Sequence, residues 1–351
     1  MNGDLVIQSS AGPYSVEFAE VGLRRNPRDS EFLIADSFFF TSDRFDTATT
    51  IWIDAIEPNK SLGTVDRIIC ELQRHGLSKA GTVLAVGGGI VQDIATLVAS
   101  LYMRGVAWEY APSTLLGMVD SCIGGKSSIN SPAAKNLIGN IYPPRRIIID
   151  TSFVSSLPPR EICSGLAEAL KISFCGGEST FFKMLDLLDA NGVDNLTQIV
   201  HLSLTTKKWF IETDEFDKSD RLQLNFGHTF GHAIEVSTDF KIPHGLAVAI
   251  GMTCAARFAA THKQLPHHVT DLEVACIRLV RDGLEGATKV DFNRERFLEA
   301  FRSDKKHPSG SFRLILPGDR QGTEIILMDR TLSLEEELLD CTSAVLNEVL
   351  L

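Results

Sequence analysis

Two patterns of apolar and polar positions alternate in the first half of the chain. Four short apolar runs, each followed by an acidic residue or a glycine, predict buried strands at residues 32–35, 51–53, 82–86 and 147–149. Apolar residues at helical spacing predict helices over 61–75 and 90–102. A strand, a glycine turn and a helix in this order are typical of a nucleotide-binding βαβ unit.

The pattern becomes mainly helical after residue 157. Five stretches have helical spacing, at residues 160–174, 181–189, 196–213, 222–236 and 246–260. The clearest strand of this half covers residues 312–316. We therefore predict two domains, residues 1–155 and 156–351, and we expect the functional site in a cleft between them.

Composition narrows the class of protein. The chain has 351 residues and 44% hydrophobic content, which is ample for two ordinary domains. Its net charge of −11 argues against a general nucleic-acid surface, although local lysines can still bind a small anionic substrate. Seven scattered cysteines without a CxxC pair suit a reducing compartment. No signal peptide is evident in residues 1–10, and no apolar run reaches the ~18 residues that span a membrane. We expect a cytoplasmic enzyme.

Three of the nine histidines lie close together in the sequence. His228 and His232 are four residues apart, so a helix would place both on one face. His244 follows after a short segment and could complete a metal site, because neutral imidazole is a common ligand for zinc and similar ions. The alternative is a helix face whose histidines are solvated or belong to the core.

Three consecutive glycines, Gly87, Gly88 and Gly89, separate a predicted strand from a predicted helix. Without Cβ atoms the backbone can approach a pyrophosphate closely, and the helix N-terminus that follows favours negative charge. The alternative is a tight turn with no ligand. Asp93, one turn into the helix, suits the hydroxyl groups of a ribose or a substrate better than a phosphate.

Basic residues recur beside glycines and turns in both halves. They are Arg104, Lys126, Lys135, Lys171, Lys207, Arg221, Lys305 and Lys306. Lys171 follows Glu168 by three residues, so the two face the same way in a helix. Each basic residue alone is typical of a solvated surface, whereas together they suit the recognition of phosphate and carboxylate.

Nine motifs in a fixed order, over roughly residues 55–315, give the chain a resemblance to the 3-dehydroquinate synthase family of sugar phosphate cyclases. They are GGGIVQD (87–93), LYMRG (101–105), PSTLLGMVDSCIGGKSSIN (112–130), KNLIGN (135–140), LPPRE (157–161), GLAEALK (165–171), LNFGHTFGHAIE (224–235), PHG (243–245) and DKK (304–306). The number and order of these motifs make the resemblance far more specific than the glycine turn alone.

The resemblance implies an α/β N-terminal Rossmann-like domain that binds NAD and a mostly α-helical C-terminal domain that binds metal and substrate. It implies Zn²⁺ or Co²⁺ held by Glu168, His228 and His244, so that His232 becomes a nearby catalytic group rather than a ligand. It also implies a homodimer in which Arg104 reaches the neighbouring subunit's site.

Position within the motifs implies roles for the remaining residues. NAD would be contacted by Asp36, Glu57, Lys60, Gly87, Gly88, Gly89, Asp93, Ser113, Thr114, Leu116, Asp120, Lys135 and Ser156. The substrate phosphate would meet Lys126, Asn136, Asn225 and one of Lys305 or Lys306. The substrate carboxylate would meet Lys207 and Arg221, while Lys135 and Lys171 would lie near the reacting carbons.

The implied reaction converts 3-deoxy-D-arabino-heptulosonate 7-phosphate into 3-dehydroquinate and phosphate. It consists of transient oxidation by NAD, phosphate elimination, reduction and an intramolecular aldol closure, and it implies the shikimate pathway of aromatic amino acid biosynthesis. Departures from the usual family pattern occur at Gln92, Ser127–Ser128, Ser219–Asp220 and Leu246. They keep open a specialised cyclase with an aminodehydroquinate, valiolone-type or deoxy-inosose product. A metal-dependent polyol dehydrogenase and a non-catalytic scaffold are the further alternatives.

Overall fold

The computed structural model describes residues 4–19, 31–42, 45, 50–133, 135–190, 194–285, 290–318 and 322–350. The chain forms two compact units, Met1–Ser156 and Leu157–Leu351. Unit 1 is α/β with a mainly parallel sheet and unit 2 is mostly helical, which confirms the predicted fold class. No helix among the described residues is both long and apolar enough to cross a membrane.

The described part of unit 1 contains one seven-stranded sheet. Its strands are β1 (Leu5–Ile7), β2 (Tyr14–Phe18), β3 (Glu31–Asp36), β4 (Thr50–Ile53), β5 (Thr82–Gly87), β6 (Ala107–Pro112) and β7 (Arg146–Ile149). The order in the sheet is β1-β2-β7-β6-β5-β3-β4, and every pairing is parallel except that of β1 with β2. The four predicted strands are present, whereas β1, β2 and β6 were not predicted.

Two helices accompany this sheet, α1 (Leu62–Arg74) and α2 (Gly89–Leu101). Ser61 caps α1 by accepting a hydrogen bond from the Thr64 backbone N–H at 3.3 Å. Val65, Ile68 and Leu72 form the buried face of α1, as the helical spacing predicts. Short irregular helices also occur, and the longest are a π-helix at Gly117–Ser121 and a 3₁₀ helix at Thr151–Ser156.

Unit 2 is built from helices and one hairpin. Its helices are α3 (Pro159–Cys175), α4 (Glu178–Asp189), α5 (Leu196–Thr213), α6 (His228–Ser237), α7 (His244–His262), α8 (His268–Leu284), α9 (Arg294–Arg302) and α10 (Leu332–Val349). Strands β8 (Ser311–Pro317) and β9 (Thr323–Asp329) pair antiparallel. The central helix is α7, which is apolar and buried on nearly all sides and packs against α3, α6, α8 and α10.

One predicted helix, residues 222–236, is wrong in its bounds. The chain instead forms a 3₁₀ helix at Asp220–Asn225 and then begins α6 at His228. Gly227, which separates the two, has a left-handed backbone with φ of 75°, a conformation that glycine adopts without steric cost. Hydrophobic spacing continued through this break, so periodicity alone did not reveal it.

Helices α6 and α7 approach each other closely at glycines. A Cβ atom added at Gly251 in α7 would lie 2.1 Å from the Gly227 carbonyl oxygen and 2.8 Å from the Gly231 nitrogen. The two helices can therefore pack at this distance only without a side chain at residue 251.

We predict that Gly251→Ala lowers the free energy of unfolding by about 2 to 3 kcal/mol, because backbone atoms of α6 would have to move. Urea denaturation of the wild type and the variant measures this difference.

Gly63→Ala is the matched control, because its nearest neighbour would be Ser61 Oγ at 3.8 Å. Gly63 lies inside α1, so alanine there should raise stability by about 0.5 to 1 kcal/mol. Equal stability of Gly251→Ala and the wild type would contradict the close packing of α6 on α7.

Candidate active site

The predicted cofactor residues of unit 1 follow the carboxyl ends of parallel strands. Asp36 ends β3, Gly87 ends β5, and Ser113 and Thr114 directly follow β6. Strand β3 lies between β4 and β5, so the strand order reverses at this point, and Ala35 pairs with Val86. Asp36 and the glycine turn thus flank the place where open α/β sheets bind ligands.

Close packing explains two of the three glycines in the turn. A Cβ atom would lie 2.5 Å from Val91 Cγ2 at Gly87 and 2.9 Å from Thr114 Cγ2 at Gly88, but a Cβ at Gly89 would meet no heavy atom within 4 Å. The first turn of α2 has no side-chain cap. Gly89 is therefore the position at which a ligand could approach the backbone closely.

A hydrogen-bond network joins Lys60, Asp93, Ser128 and Asn136. Lys60 Nζ donates to Asp93 Oδ2 at 2.9 Å and to Asn136 Oδ1 at 2.7 Å. The Ser128 backbone N–H donates to Asp93 Oδ1 at 2.9 Å, and the Ser128 hydroxyl donates to Asn136 Oδ1 at 3.0 Å. Burial raises the pKa of Asp93, although Lys60 opposes this effect. Residues predicted for NAD and for phosphate are thus connected directly.

Glu57 and Asn130 extend this network. Asn130 Nδ2 donates to Glu57 Oε1 at 2.8 Å, and Asn130 Oδ1 accepts from the Asn136 backbone N–H at 3.0 Å. Asn136 has a left-handed backbone with φ of 52°, which asparagine tolerates better than most residues. Lys126 is exposed and lines a cavity of about 400 Å³ together with Asp93, Ser127, Ser128, Gly139, Asn140 and Ile141. Lys135 is also exposed.

The remaining predicted residues of unit 1 lie on irregular segments. Leu116 precedes the π-helix and Asp120 lies on it. Ser156 ends the 3₁₀ helix after β7, and its hydroxyl donates to the Phe153 carbonyl at 2.8 Å. Asp36 Oδ1 accepts from the Phe38 backbone N–H at 3.0 Å. Arg104 is exposed, with a left-handed backbone and φ of 62°, a strained conformation of the kind that clusters at functional sites.

Unit 2 brings together the three histidines that lie close to one another in the sequence. His228, His232 and His244 each offer a ring nitrogen, and these nitrogens lie within 4.8 Å of one another. Glu168 forms a cluster with these three histidines, since its Oε1 lies 3.8 Å from His228 Nε2 and 3.5 Å from His244 Nε2. Glu168 is fully buried, and its Oε1 has no hydrogen-bond partner.

The crossing of α3 and α7 explains how Glu168 meets His244. The Gly245 backbone N–H donates to Ser164 Oγ at 2.9 Å, and a Cβ at Gly245 would lie 2.0 Å from the Ser164 carbonyl oxygen. Ser164 and Glu168 are four residues apart and share one face of α3. Glycine at residue 245 therefore lets the start of α7, and with it His244, lie beside Glu168.

Hydrogen bonds fix the orientation of two imidazole rings. His244 Nδ1 donates to Glu235 Oε2 at 3.2 Å, and His228 Nδ1 donates to the Phe226 carbonyl at 3.3 Å. The Nε2 atoms of both rings then face Glu168 Oε1. Histidines that bind metals characteristically donate their other N–H to a carboxylate or carbonyl, so this donor set fits a divalent ion such as zinc.

Burial controls the charge of the cluster. Burial lowers the pKa of His228 well below its usual value, and the nearby positive charge of Lys171 lowers it further. Burial and then Lys306 lower the pKa of His232 to about 4. Burial also acts to lower the pKa of His244, but the hydrogen bond and charge of Glu235 outweigh it and raise that pKa. His228 and His232 are therefore neutral at pH 7.

Two lysines lie next to this cluster. Lys171 is buried and forms an ion pair with Glu168 Oε2. Lys306 Nζ is buried without a hydrogen-bond partner, and it lies 3.7 Å from Asp304 Oδ2. Burial lowers the pKa of Lys306. Lys305 is exposed, so the structure brings Lys306, rather than Lys305, to the cluster.

The predicted carboxylate-binding residues are also buried. Lys207 in α5 is 6% exposed and Arg221 in the 3₁₀ helix is 5% exposed. Lysine and arginine side chains are rarely buried to this extent unless they are paired. Arg221 Nη1 donates to the Glu215 carbonyl at 2.6 Å. Asn225 ends the same 3₁₀ helix, which packs against α3 and α5, and its Nδ2 donates to the Leu222 carbonyl at 3.1 Å.

Sequence reasoning missed three acidic residues near the cluster. Glu235 orients His244, Asp304 lies beside Lys306, and the charge of Asp217 acts on Lys306. Glu235 lies three residues after His232 in α6, so helical spacing could have found it. Asp217 has a left-handed backbone with φ of 61°, which no sequence pattern indicated.

One departure from the family pattern has a packing explanation. Leu246 is fully buried, and its Cδ1 would lie 2.7 Å from a Cβ atom at Gly283 in α8. Leu246 therefore packs into the space that Gly283 leaves.

Comparisons with known families cover most of the chain. Residues 50–164 match the family described as 3-dehydroquinate synthase N-terminal, and residues 165–307 match the one described as 3-dehydroquinate synthase C-terminal.

Individual proteins are also similar to the chain over most of its length. The 3-dehydroquinate synthase of Dictyoglomus thermophilum is 37% identical over 86% of this chain and 87% of its own length. A protein of Amycolatopsis mediterranei, provisionally named aminodehydroquinate synthase, is also 37% identical, over 77% of this chain and 73% of its own. The fold resembles that of a 2-deoxy-scyllo-inosose synthase crystallised with carbaglucose-6-phosphate, NAD⁺ and Co²⁺, with a TM-score of 0.77, 23% identity, and coverage of 96% and 99%.

We predict that Glu168→Gln and His228→Ala each weaken zinc or cobalt binding by about 100-fold, because the first replaces an anionic oxygen donor with a neutral amide and the second removes an imidazole nitrogen. Metal titration against a competing chelator, followed by elemental analysis of the dialysed protein, measures the loss.

His262→Ala is the control, because His262 pairs with Glu337 away from the cluster. It should retain the metal content of the wild type. Wild-type metal affinity in both cluster variants would show that these residues do not hold the ion.

Proposed function

The chain belongs to the 3-dehydroquinate synthase family, and from this premise we propose that it converts 3-deoxy-D-arabino-heptulosonate 7-phosphate into 3-dehydroquinate and phosphate. The observation that carries the proposal is the cluster of Glu168, His228 and His244 with the buried ammonium of Lys306 beside it. A substrate with a phosphate and a carboxylate needs cations as well as a metal, and the burial of Lys207 and Arg221 supports their assignment to the carboxylate.

Two cofactors belong to the proposal. Glu168, His228 and His244 would hold Zn²⁺ or Co²⁺, which lowers the pKa of a bound hydroxyl group. NAD serves as a hydride acceptor and donor within one turnover. The residues that we propose for NAD are Asp36, Glu57, Lys60, Gly87, Gly88, Gly89, Asp93, Ser113, Thr114, Leu116, Asp120, Lys135 and Ser156. The open backbone at Gly89 and the uncapped start of α2 support this assignment.

The remaining site residues hold the substrate and move protons. Lys306, whose ammonium has no hydrogen-bond partner, would bind the phosphate with Lys126, Asn136 and Asn225. Lys207 and Arg221 would bind the carboxylate. Lys135 and Lys171 would lie near the reacting carbons, and His232 can accept a proton because burial keeps it neutral. Fixing both anionic ends of one substrate is the main contribution of these residues.

We also propose a cytoplasmic homodimer of the shikimate pathway. All seven cysteines are free thiols, which suits a reducing compartment. Arg104 is exposed on a strained left-handed turn and so is available to a second subunit.

The proposed reaction predicts phosphate release without net formation of NADH. The purified chain with NAD and zinc or cobalt should release one phosphate per 3-deoxy-D-arabino-heptulosonate 7-phosphate, while absorbance at the NADH wavelength stays at its starting level. Stoichiometric NADH would instead identify a polyol dehydrogenase, and metal-loaded protein that releases no phosphate would exclude the proposed substrate.

A second candidate is a cyclase that acts on an amino analogue of the same sugar phosphate. The relative from Amycolatopsis mediterranei favours it, because its identity to this chain equals that of the 3-dehydroquinate synthase from Dictyoglomus thermophilum. Parallel assays on the hydroxy and amino substrates decide between the two: the higher kcat/KM identifies the physiological class.

Lys305 and Lys306 form a matched pair for testing the phosphate site. Lys306→Met should lower kcat/KM by about 100-fold, because it removes a buried cation from the substrate anion. Lys305→Met should leave kcat/KM within about twofold of the wild type, since Lys305 is exposed. Steady-state kinetics of both variants provide the measurement, and the reverse ranking would contradict the assignment.

A further inference from the structure

Side chains hold the π-helix Gly117–Ser121 at both of its ends. Its defining bond runs from the Cys122 N–H to the Gly117 carbonyl at 3.1 Å. At its N-terminal end, Thr114 Oγ1 accepts from the Gly117 N–H at 3.1 Å. At its C-terminal end, Gln92 Nε2 donates to the Ser121 carbonyl at 2.7 Å, and the Ser121 hydroxyl donates to Gln92 Oε1 at 2.6 Å.

The pairing of Gln92 with Ser121 uses both ends of one buried amide. Gln92 is 4% exposed and lies among the buried apolar residues of α2. A buried amide costs free energy unless its donor and acceptor are both used, and here Ser121 satisfies each of them. An apolar side chain could fill the same space, but it would not fix the position of Ser121.

A π-helix depends on such contacts more than an α-helix does. Its wider turn is rare and occurs frequently at functional sites. If this turn relaxed from i→i+5 to i→i+4 bonding, the side chains within and after it would rotate by up to the angle of one residue, roughly 100°. Asp120 lies on this helix immediately before Ser121. Relaxation of the π-helix after loss of the Gln92–Ser121 pair would therefore change the direction of the Asp120 side chain.

The same pair connects the π-helix to the glycine turn. Gln92 lies on the first turns of α2, directly before Asp93, which Lys60 and Ser128 hold in place. At the other end, Thr114 is the residue that a Cβ at Gly88 would touch. Gln92 therefore joins the first turns of α2, which follow the glycine turn and carry Asp93, to the π-helix that carries Asp120.

We propose that Gln92 is a positioning residue for the nucleotide: by binding Ser121 it fixes the π-helix, and so orients Asp120 toward NAD. The inference rests on the proposed function, because it takes from that proposal that the chain binds NAD and that Asp120 contacts it. Gln92 itself does not touch the cofactor. Its contribution is to NAD affinity rather than to the chemistry at the metal.

The test compares NAD binding to metal-loaded wild-type protein and to Gln92→Met, which retains the side-chain length but not the hydrogen bonds. We expect the Kd for NAD, measured by isothermal titration calorimetry, to rise about tenfold. Ser121→Ala removes only the hydroxyl half of the pair and should raise the Kd about threefold. The double variant should bind no more weakly than Gln92→Met, because both changes break one interaction.

Tyr102→Phe is the matched control. It removes one buried hydrogen bond, from the Tyr102 hydroxyl to the Leu77 carbonyl at 2.8 Å, just beyond the other end of α2. Its thermal unfolding temperature should fall as in Gln92→Met, but its Kd for NAD should equal that of the wild type. A rise in Kd in this control as well would assign the effect to general stability and overturn the proposal.

The remaining outcomes separate the inference from the proposed function. Wild-type protein that binds no NAD would refute the proposed function, and the inference with it. Wild-type protein that binds NAD, with an unchanged Kd in Gln92→Met, would overturn the inference alone. If Gln92→Met does not fold, Ser121→Ala decides in its place, and an unchanged Kd in that variant overturns the inference.

Discussion

Glu168 carries a carboxylate that is fully buried in α3, and removing such a charge from water is costly unless other charges compensate it. Lys171 supplies one compensating charge through its ion pair with Oε2. The other oxygen has no hydrogen-bond partner and faces the Nε2 atoms of His228 and His244. A divalent cation would satisfy this oxygen and both imidazoles together. The arrangement of the helices around Glu168 is the structural condition for such a site.

Glycines provide that arrangement. Gly245 lets the start of α7 touch α3 at Ser164, one turn before Glu168. Gly251 lets α7 lie against the residues around the start of α6, where His228 begins the helix. His228 and His244 are thus the first residues of α6 and α7, and backbone contacts fix the positions of both helix starts. Positions set by backbone contact are more rigid than those set by flexible side chains, which suits a metal site.

Unit 1 achieves a fixed geometry by different means. Parallel strands set Asp36 and the glycine turn side by side, and hydrogen bonds then fix the loops beyond the strand ends. Lys60 and Asn136 connect residues proposed for the nucleotide with residues proposed for the phosphate. In the sequence, Gln92 is only a departure from the family pattern. In the structure, its side chain binds Ser121 at the end of the π-helix.

The sequence by itself determined the α/β first half, most of the helices before residue 262, and the family, because hydrophobic period and ordered motifs are local properties of the chain. It could not choose between Lys305 and Lys306, since adjacent residues differ only in which of them the surrounding loop buries. It also gave no sign that Gly227 separates the 3₁₀ helix Asp220–Asn225 from α6. Contacts between residues far apart in the chain, such as Glu168 with His244, were decided only by the tertiary structure, because helix packing sets them.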